Sequence, residues 1–201
     1  YELAARMARG QGALLNRLAQ GALLNRLAQG IASVSDLYDV VILDPPPALG
    51  AISLSVLRAA NALVVPVPPT VMDFSSTAAF LAMLDETIQE LQAVDLAPQL
   101  SFLRFLASKV DDTKSMQKGL LELMRQVFGN AMIRTPLKDS AEIDNATARL
   151  MTVYELNGPM TSKQVRDRCL TYLDGVCAEI EVDIRSTWPS HLPRLRKEGL
   201  A

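Results

Sequence analysis

Residues 38–50 read Tyr38-Asp39-Val40-Val41-Ile42-Leu43-Asp44-Pro45-Pro46-Pro47-Ala48-Leu49-Gly50. Between Asp39 and Asp44 lies an apolar, β-branched run without polar alternation, ending in a carboxylate. Such a run reads as a short strand covered by helices on both faces, because a sheet with one wet face alternates instead. The prolines end it, since proline has no N–H for a ladder. Moving outward, Leu54, Leu57 and Arg58 lead to Ala60 in a helical pattern, and Ala62-Leu63-Val64-Val65-Pro66-Val67 reads as a second buried strand stopped by Pro68-Pro69. Strand, helix and strand at this spacing form a βαβ unit, which implies parallel strands and a right-handed crossover.

Further along, Asp73 is expected to cap a helix over 74–93, in which Phe80, Leu81, Leu84, Ile88 and Leu91 recur at helical spacing. A third strand is expected over 100–108, a helix over 115–128 stopped by Gly129, and a short fourth strand over 131–133. A last helix over 162–184 carries Val165, Leu170, Leu173, Val176 and Ile180. On the N-terminal side, GALLNRLAQ stands at 12–20 and again, without a spacer, at 21–29. A nine-residue step turns a helix by about 180°, so only one copy of the leucines can face a core. We read it as a local duplication. The expected fold class is α/β, with a doubly wound, mostly parallel sheet. Three parts are expected: a helical segment with the duplication at 1–30, the α/β part at 31–188, and a basic tail at 189–201 holding Arg194, Arg196 and Lys197.

Composition narrows the function. The 201 residues are 49% hydrophobic and 21% charged, which supports a packed core. Twenty basic against twenty-two acidic residues give a formal charge of −2, so any DNA contact must come from a local patch. Aromatics at 5% argue against a stacking platform for single strands. Cys169 and Cys177 would lie about 12 Å apart along one helix, too far for a bridge, and read as reduced thiols of a cytoplasmic protein. The apolar runs 40–43 and 62–67 are far short of a membrane span, and no signal peptide is seen. His191 has no triad around it, and no Cys/His spacing suggests zinc.

In an open parallel sheet, ligands bind beyond the carboxyl ends of the strands. Asp44 falls there, in the form of a Walker B aspartate that holds Mg²⁺ through water. The whole of 38–50, with Pro69-Thr70-Val71-Met72-Asp73, Phe102-Leu103-Arg104-Phe105-Leu106, Arg125-Gln126-Val127-Phe128-Gly129 and Ser140-Ala141-Glu142-Ile143, resembles ParA-type partition ATPases. So do Thr152-Val153-Tyr154-Glu155-Leu156 and Glu179-Ile180-Glu181, and within the family the likeness is strongest to the RepA group of alphaproteobacterial repABC plasmids. The resemblance covers roughly residues 25–188. It implies a deviant P-loop NTPase fold and an ATPase that sandwiches ATP and Mg²⁺ in a homodimer. It also implies nonspecific DNA binding, a ParB- or RepB-like centromere-binding partner, and a cytoplasmic, nucleoid-associated protein. Asp44 would then hold Mg²⁺ through water in switch II, with Pro46 and Pro47 beside it at the cofactor. Lys109, Lys114 and Lys138 would contact DNA, with Lys118 near them.

Two departures stand out. Pro45 occupies a position where the family carries Thr, Ser or Cys, which stiffens the loop. No G-x-x-x-x-G-K-[ST] or deviant lysine-containing P-loop occurs anywhere, so no catalytic residue is assigned and the chain by itself is expected to be inactive. With Tyr1 at its start, it is expected to be the C-terminal part of a longer ATPase whose strand–P-loop unit lies upstream. The alternative is a nonenzymatic dimerisation or DNA-binding module of the same fold. A nucleobase methyltransferase would need an aromatic ring after Asp44-Pro45-Pro46, where Pro47 stands and Phe74 is too distant. Asp111-Asp112, among Lys109, Lys114 and Lys118, reads as a base-binding or DNA-contact loop, or simply as solvated charge.

Overall fold

The structure, a computed structural model, describes residues 22–46, 50–93, 96–157 and 161–187. The first GALLNRLAQ copy, Pro47, His191 and the basic tail lie outside them. The elements are α1 (Ala22–Ala32), α2 (Ala51–Ala59), β1 (Ala62–Val67), α3 (Val71–Gln92), β2 (Phe102–Ala107), α4 (Ser115–Phe128), α5 (Ala141–Thr147) and α6 (Lys163–Ser186). The architecture is α/β with a parallel sheet: Ser101 N–H donates to Asn61 O and Ser108 N–H to Val67 O, so β1 and β2 run the same way.

The chain forms two compact units, residues 1–63 with 79–102, and residues 64–78 with 103–201. In the first, α1 packs on α2, and Leu24, Leu54, Leu57, Leu84 and Leu91 are buried. The buried pair Leu84 and Leu91 stands on the expected α3 stripe, two turns apart, so both point the same way. In the second unit one cluster gathers Leu106, Ile133 and Val176 with Val64, Leu137 and Ile180, and another gathers Ala146, Val153, Leu156 and Cys169. Phe128 stacks on Phe105 with ring centroids 3.9 Å apart and meets Phe74 edge-on. Both cysteines lie unpaired on α6, Cys169 buried and Cys177 exposed.

Several expectations change. Residues 40–44 form no strand; the segment is irregular, and Val40, Val41 and Ile42 are exposed, Ile42 by 89%. A strand exists only as part of a ladder, and among the described residues no ladder bond reaches this one. Among the described residues β1 has one neighbour, and exposed Pro66 near its end suits an edge strand. Asp73 is not the cap of α3; it sits in the first turn, where its N–H donates to Thr70 Oγ1 at 3.1 Å and its carboxylate accepts from the same hydroxyl at 2.6 Å. Thr70 has the shorter reach to the first turn and takes the capping role. Residues 129–131 form a 3₁₀ turn rather than opening a strand, and the fourth strand shrinks to single bridges at Phe105–Met132 and Val110–Lys138. Its ladder is interrupted because the N–H groups of Arg134 and Thr135 donate instead to the Glu179 carboxylate, and Pro136 has none to give.

The stops were local. Gly129 closes α4 at φ +52°, a backbone state costly for a residue with a Cβ. Ser162 caps α6 through its side chain. Val165 is exposed, and buried Cys169 takes its place on the inner stripe of α6.

Candidate functional site

In the first unit, Asp44, Pro45 and Pro46 are exposed, and Pro46 O accepts from Ser53 Oγ at 3.4 Å, just inside α2. Asp44 stands apart from other candidate ligands: among the described residues no three His, Cys, Asp or Glu side chains converge as a metal site would require. A water-mediated contact to one exposed carboxylate is all that Mg²⁺ would find here. The described residues with the 201-residue sequence, which has no phosphate cradle, therefore do not fit Mg–ATP by themselves.

In the second unit, the loop after β2 brings the candidate lysines together. Val110 N–H donates to Leu137 O at 3.1 Å and Asp139 N–H to Val110 O at 3.0 Å, which sets Lys138 beside residues 109–114. Asp111 builds the turn: its carboxylate accepts from the Thr113 hydroxyl and N–H at 2.6 and 2.9 Å, while its own N–H donates to Gln117 Oε1. The Thr113 bonds and Lys114, 3.3 Å away, hold Asp111 below the usual carboxylate range. Lys138 pairs with Asp112, is only 16% exposed, and lies over the Tyr172 ring at 5.7 Å. Lys109 is exposed at φ +53° and has no ion pair among the described residues. Lys114 and Lys138 thus pair with Asp111 and Asp112, and residues 109–114 together carry no net charge.

The same unit holds a site that the sequence did not announce. Arg104, on β2, donates Nε and Nη2 to the two oxygens of Asp183 at 2.6 and 2.5 Å, and Nη1 to Asn130 O. That fork holds Asp183 below its ordinary range and raises Arg104 further. One helical turn away, burial alone would raise Glu179, but the Thr135 side chain and the N–H groups of Arg134 and Thr135 outweigh it and lower the carboxyl. Beside this network opens a cleft of about 770 Å³ between α4, α6 and the 129–135 segment. The sequence signals were the i, i+4 spacing of Glu179 and Asp183, which is common on solvated helices, and the family-like stretches at 102–106, 125–129 and 179–181, none of which pointed to a site here.

An α/β unit with a parallel sheet and its loops at the carboxyl ends of the strands is an architecture of the P-loop NTPase type. This chain belongs to the AAA_31 family, an AAA domain, whose family model matches residues 6–135. It is 29% identical over 158 residues to the replication protein A relative of Rhizobium rhizogenes, across 79% of this chain and 39% of that protein. It is 28% identical to Protein SopA of Escherichia coli K12, across 62% of the chain and 32% of SopA, and 31% identical over 100 residues to Plasmid partition protein A of Escherichia coli, across 48% and 24%. A solved structure titled Partition Protein shares the fold at TM-score 0.62 and 24% identity, over 81% of this chain and 42% of its own. The chain spans well under half of the length of these relatives. No helix among the described residues is long and apolar enough to cross a membrane.

Proposed function

We propose that this chain is part of a ParA-type plasmid partition ATPase. The observation that carries the reading is the likeness to a replication protein A relative over 79% of the chain and to partition proteins over shorter stretches. In a protein that also carries a phosphate-binding loop, Asp44 would hold Mg²⁺ through water, and Pro46 and Pro47 would shape the turn beside the nucleotide. ATP sandwiched in a homodimer, nonspecific DNA as the track, and a ParB- or RepB-like centromere-binding partner complete the proposal. Residues 31–188 would be the NTPase part, 1–30 a helical lead-in and 189–201 a basic tail, in a cytoplasmic protein associated with the nucleoid.

Lys109, Lys114 and Lys138 are the proposed DNA contacts. Lys109 is exposed and has no ion pair among the described residues, whereas Lys114 and Lys138 would have to exchange an aspartate for a phosphate. DNA binding would therefore be weak in the isolated chain. The absence of a phosphate cradle from the sequence favours a second reading, a nonenzymatic module of the same fold that dimerises or binds DNA.

Plasmid retention tests the main reading. Asp44→Ala in the gene on its own replicon should raise plasmid loss to the level of random segregation, with the protein still folded because Asp44 is exposed. Unchanged retention with normal protein levels would refute the ATPase reading. Retention that survives Asp44→Ala but fails when Lys109 and Lys114 become Gln would favour the nonenzymatic module.

A further inference from the structure

We propose that the cleft beside Arg104 binds a small organic anion, a phosphate or carboxylate attached to a compact apolar body. The cleft is open and about 770 Å³, a volume within the range of small-molecule sites and larger than a single ion needs. Arg104, Arg125 and Arg134 line it, with Met132, Ile133 and Val182 as apolar wall.

The charge balance decides the ligand's sign. Two carboxylates also reach the cleft, but each is already occupied: Asp183 by the Arg104 fork, and Glu179 by two backbone N–H groups at 2.8 Å. Arg104 is spent on Asp183 and Asn130 O, so it serves as scaffold. Arg134 and Arg125 are the less committed guanidiniums. Arg134 is exposed and makes no side-chain hydrogen bond or ion pair among the described residues, although its charge helps keep Glu179 ionised. Arg125 has a single 3.6 Å contact to Glu122, both side chains being about half exposed, which contributes little. Two forked donors facing one concave space match the paired oxygens of a carboxylate or phosphate. Met132 and Ile133 are buried, which gives the cleft a dry floor, and Val182 is exposed on its wall. An inorganic ion would leave that wall wet; an organic anion would cover it. The cleft involves neither Asp44 nor the 109–114 loop, so it stands apart from the proposed nucleotide and DNA contacts.

Titration calorimetry of the purified chain with phenyl phosphate, phenylacetate and inorganic phosphate tests this. At least one organic anion should bind more than tenfold tighter than inorganic phosphate, a gap of about 1.4 kcal/mol. Arg134→Gln and Arg125→Gln should each weaken it several-fold, and Val182→Trp, which fills the cleft at an exposed position, should abolish it. Circular dichroism should report the native fold for all three. No binding of either organic anion up to about 10 mM would overturn the proposal. So would equal affinity for inorganic phosphate, or affinity unchanged in Arg134→Gln or Val182→Trp.

Discussion

Breaking the Arg104–Asp183 pair measures how α6 is held against β2. The two side chains are 28% and 17% exposed, between an open surface pair and a buried one. Surface pairs contribute at most about 1 kcal/mol, while orphaning one member of a buried pair costs about 3–5 kcal/mol. The bidentate geometry and the third bond to Asn130 O place each single loss at about 2 kcal/mol. For a chain of this size that is a fall of roughly 4–8 °C in Tm. Arg104→Met, Asp183→Asn and the double variant, followed by thermal and urea denaturation, should give a coupling energy of about 1–2 kcal/mol. The pH dependence adds a second readout. The folded Asp183 carboxyl lies below its unfolded value, so the native state binds fewer protons. Its stabilisation is present above the unfolded carboxylate pKa of about 3.9 and is lost as pH falls through the folded value. The gap between wild type and Asp183→Asn should therefore be full at neutral pH and close in acid. Single losses below about 0.5 kcal/mol, zero coupling, or a gap that persists in strong acid would refute this account.

Gly175→Ala should destabilise by about 1–3 kcal/mol, because its Cβ would stand 2.9 Å from Thr135 Cγ2, and Thr135→Ala should rescue most of it in the same melt. Lys109→Gln should weaken duplex binding alike for all sequences and lower the salt slope by about one unit, read by fluorescence anisotropy over a salt series. Lys138→Ala should also cost about 1 kcal/mol of stability, through lost contacts to Asp112 and the Tyr172 ring; an unchanged melt would show that the pair is idle. The 201-residue chain alone should release no phosphate from Mg–ATP above background, because its sequence contains no P-loop lysine or cradle.

The helices were legible from the residues alone. Periodicity at 74–93, 115–128 and 162–184, with Gly129 and Ser162 as punctuation, lies within a residue to three of α3, α4 and α6. A helix closes its hydrogen bonds inside its own segment, so its evidence is local. The family likeness was equally local, carried by the turn after Leu43 and short spaced motifs. Strands and ion pairs obey a different logic. The apolar run at 40–43 has every mark of a buried strand, yet a strand needs a neighbour that its own residues do not name, and the run stays outside the described sheet. Arg134 and Thr135 give their N–H groups to Glu179, more than forty residues away. Arg104 finds Asp183 at a separation of 79 residues, and Lys138 finds Asp112 at 26. Periodicity sees only separations of a few residues, so it proposed a basic patch where folding had already set an aspartate against Lys114 and Lys138, and it passed over the arginine-lined cleft. Composition and spacing set which segments could become helices; only the tertiary contacts decided which charges remain free to meet a ligand.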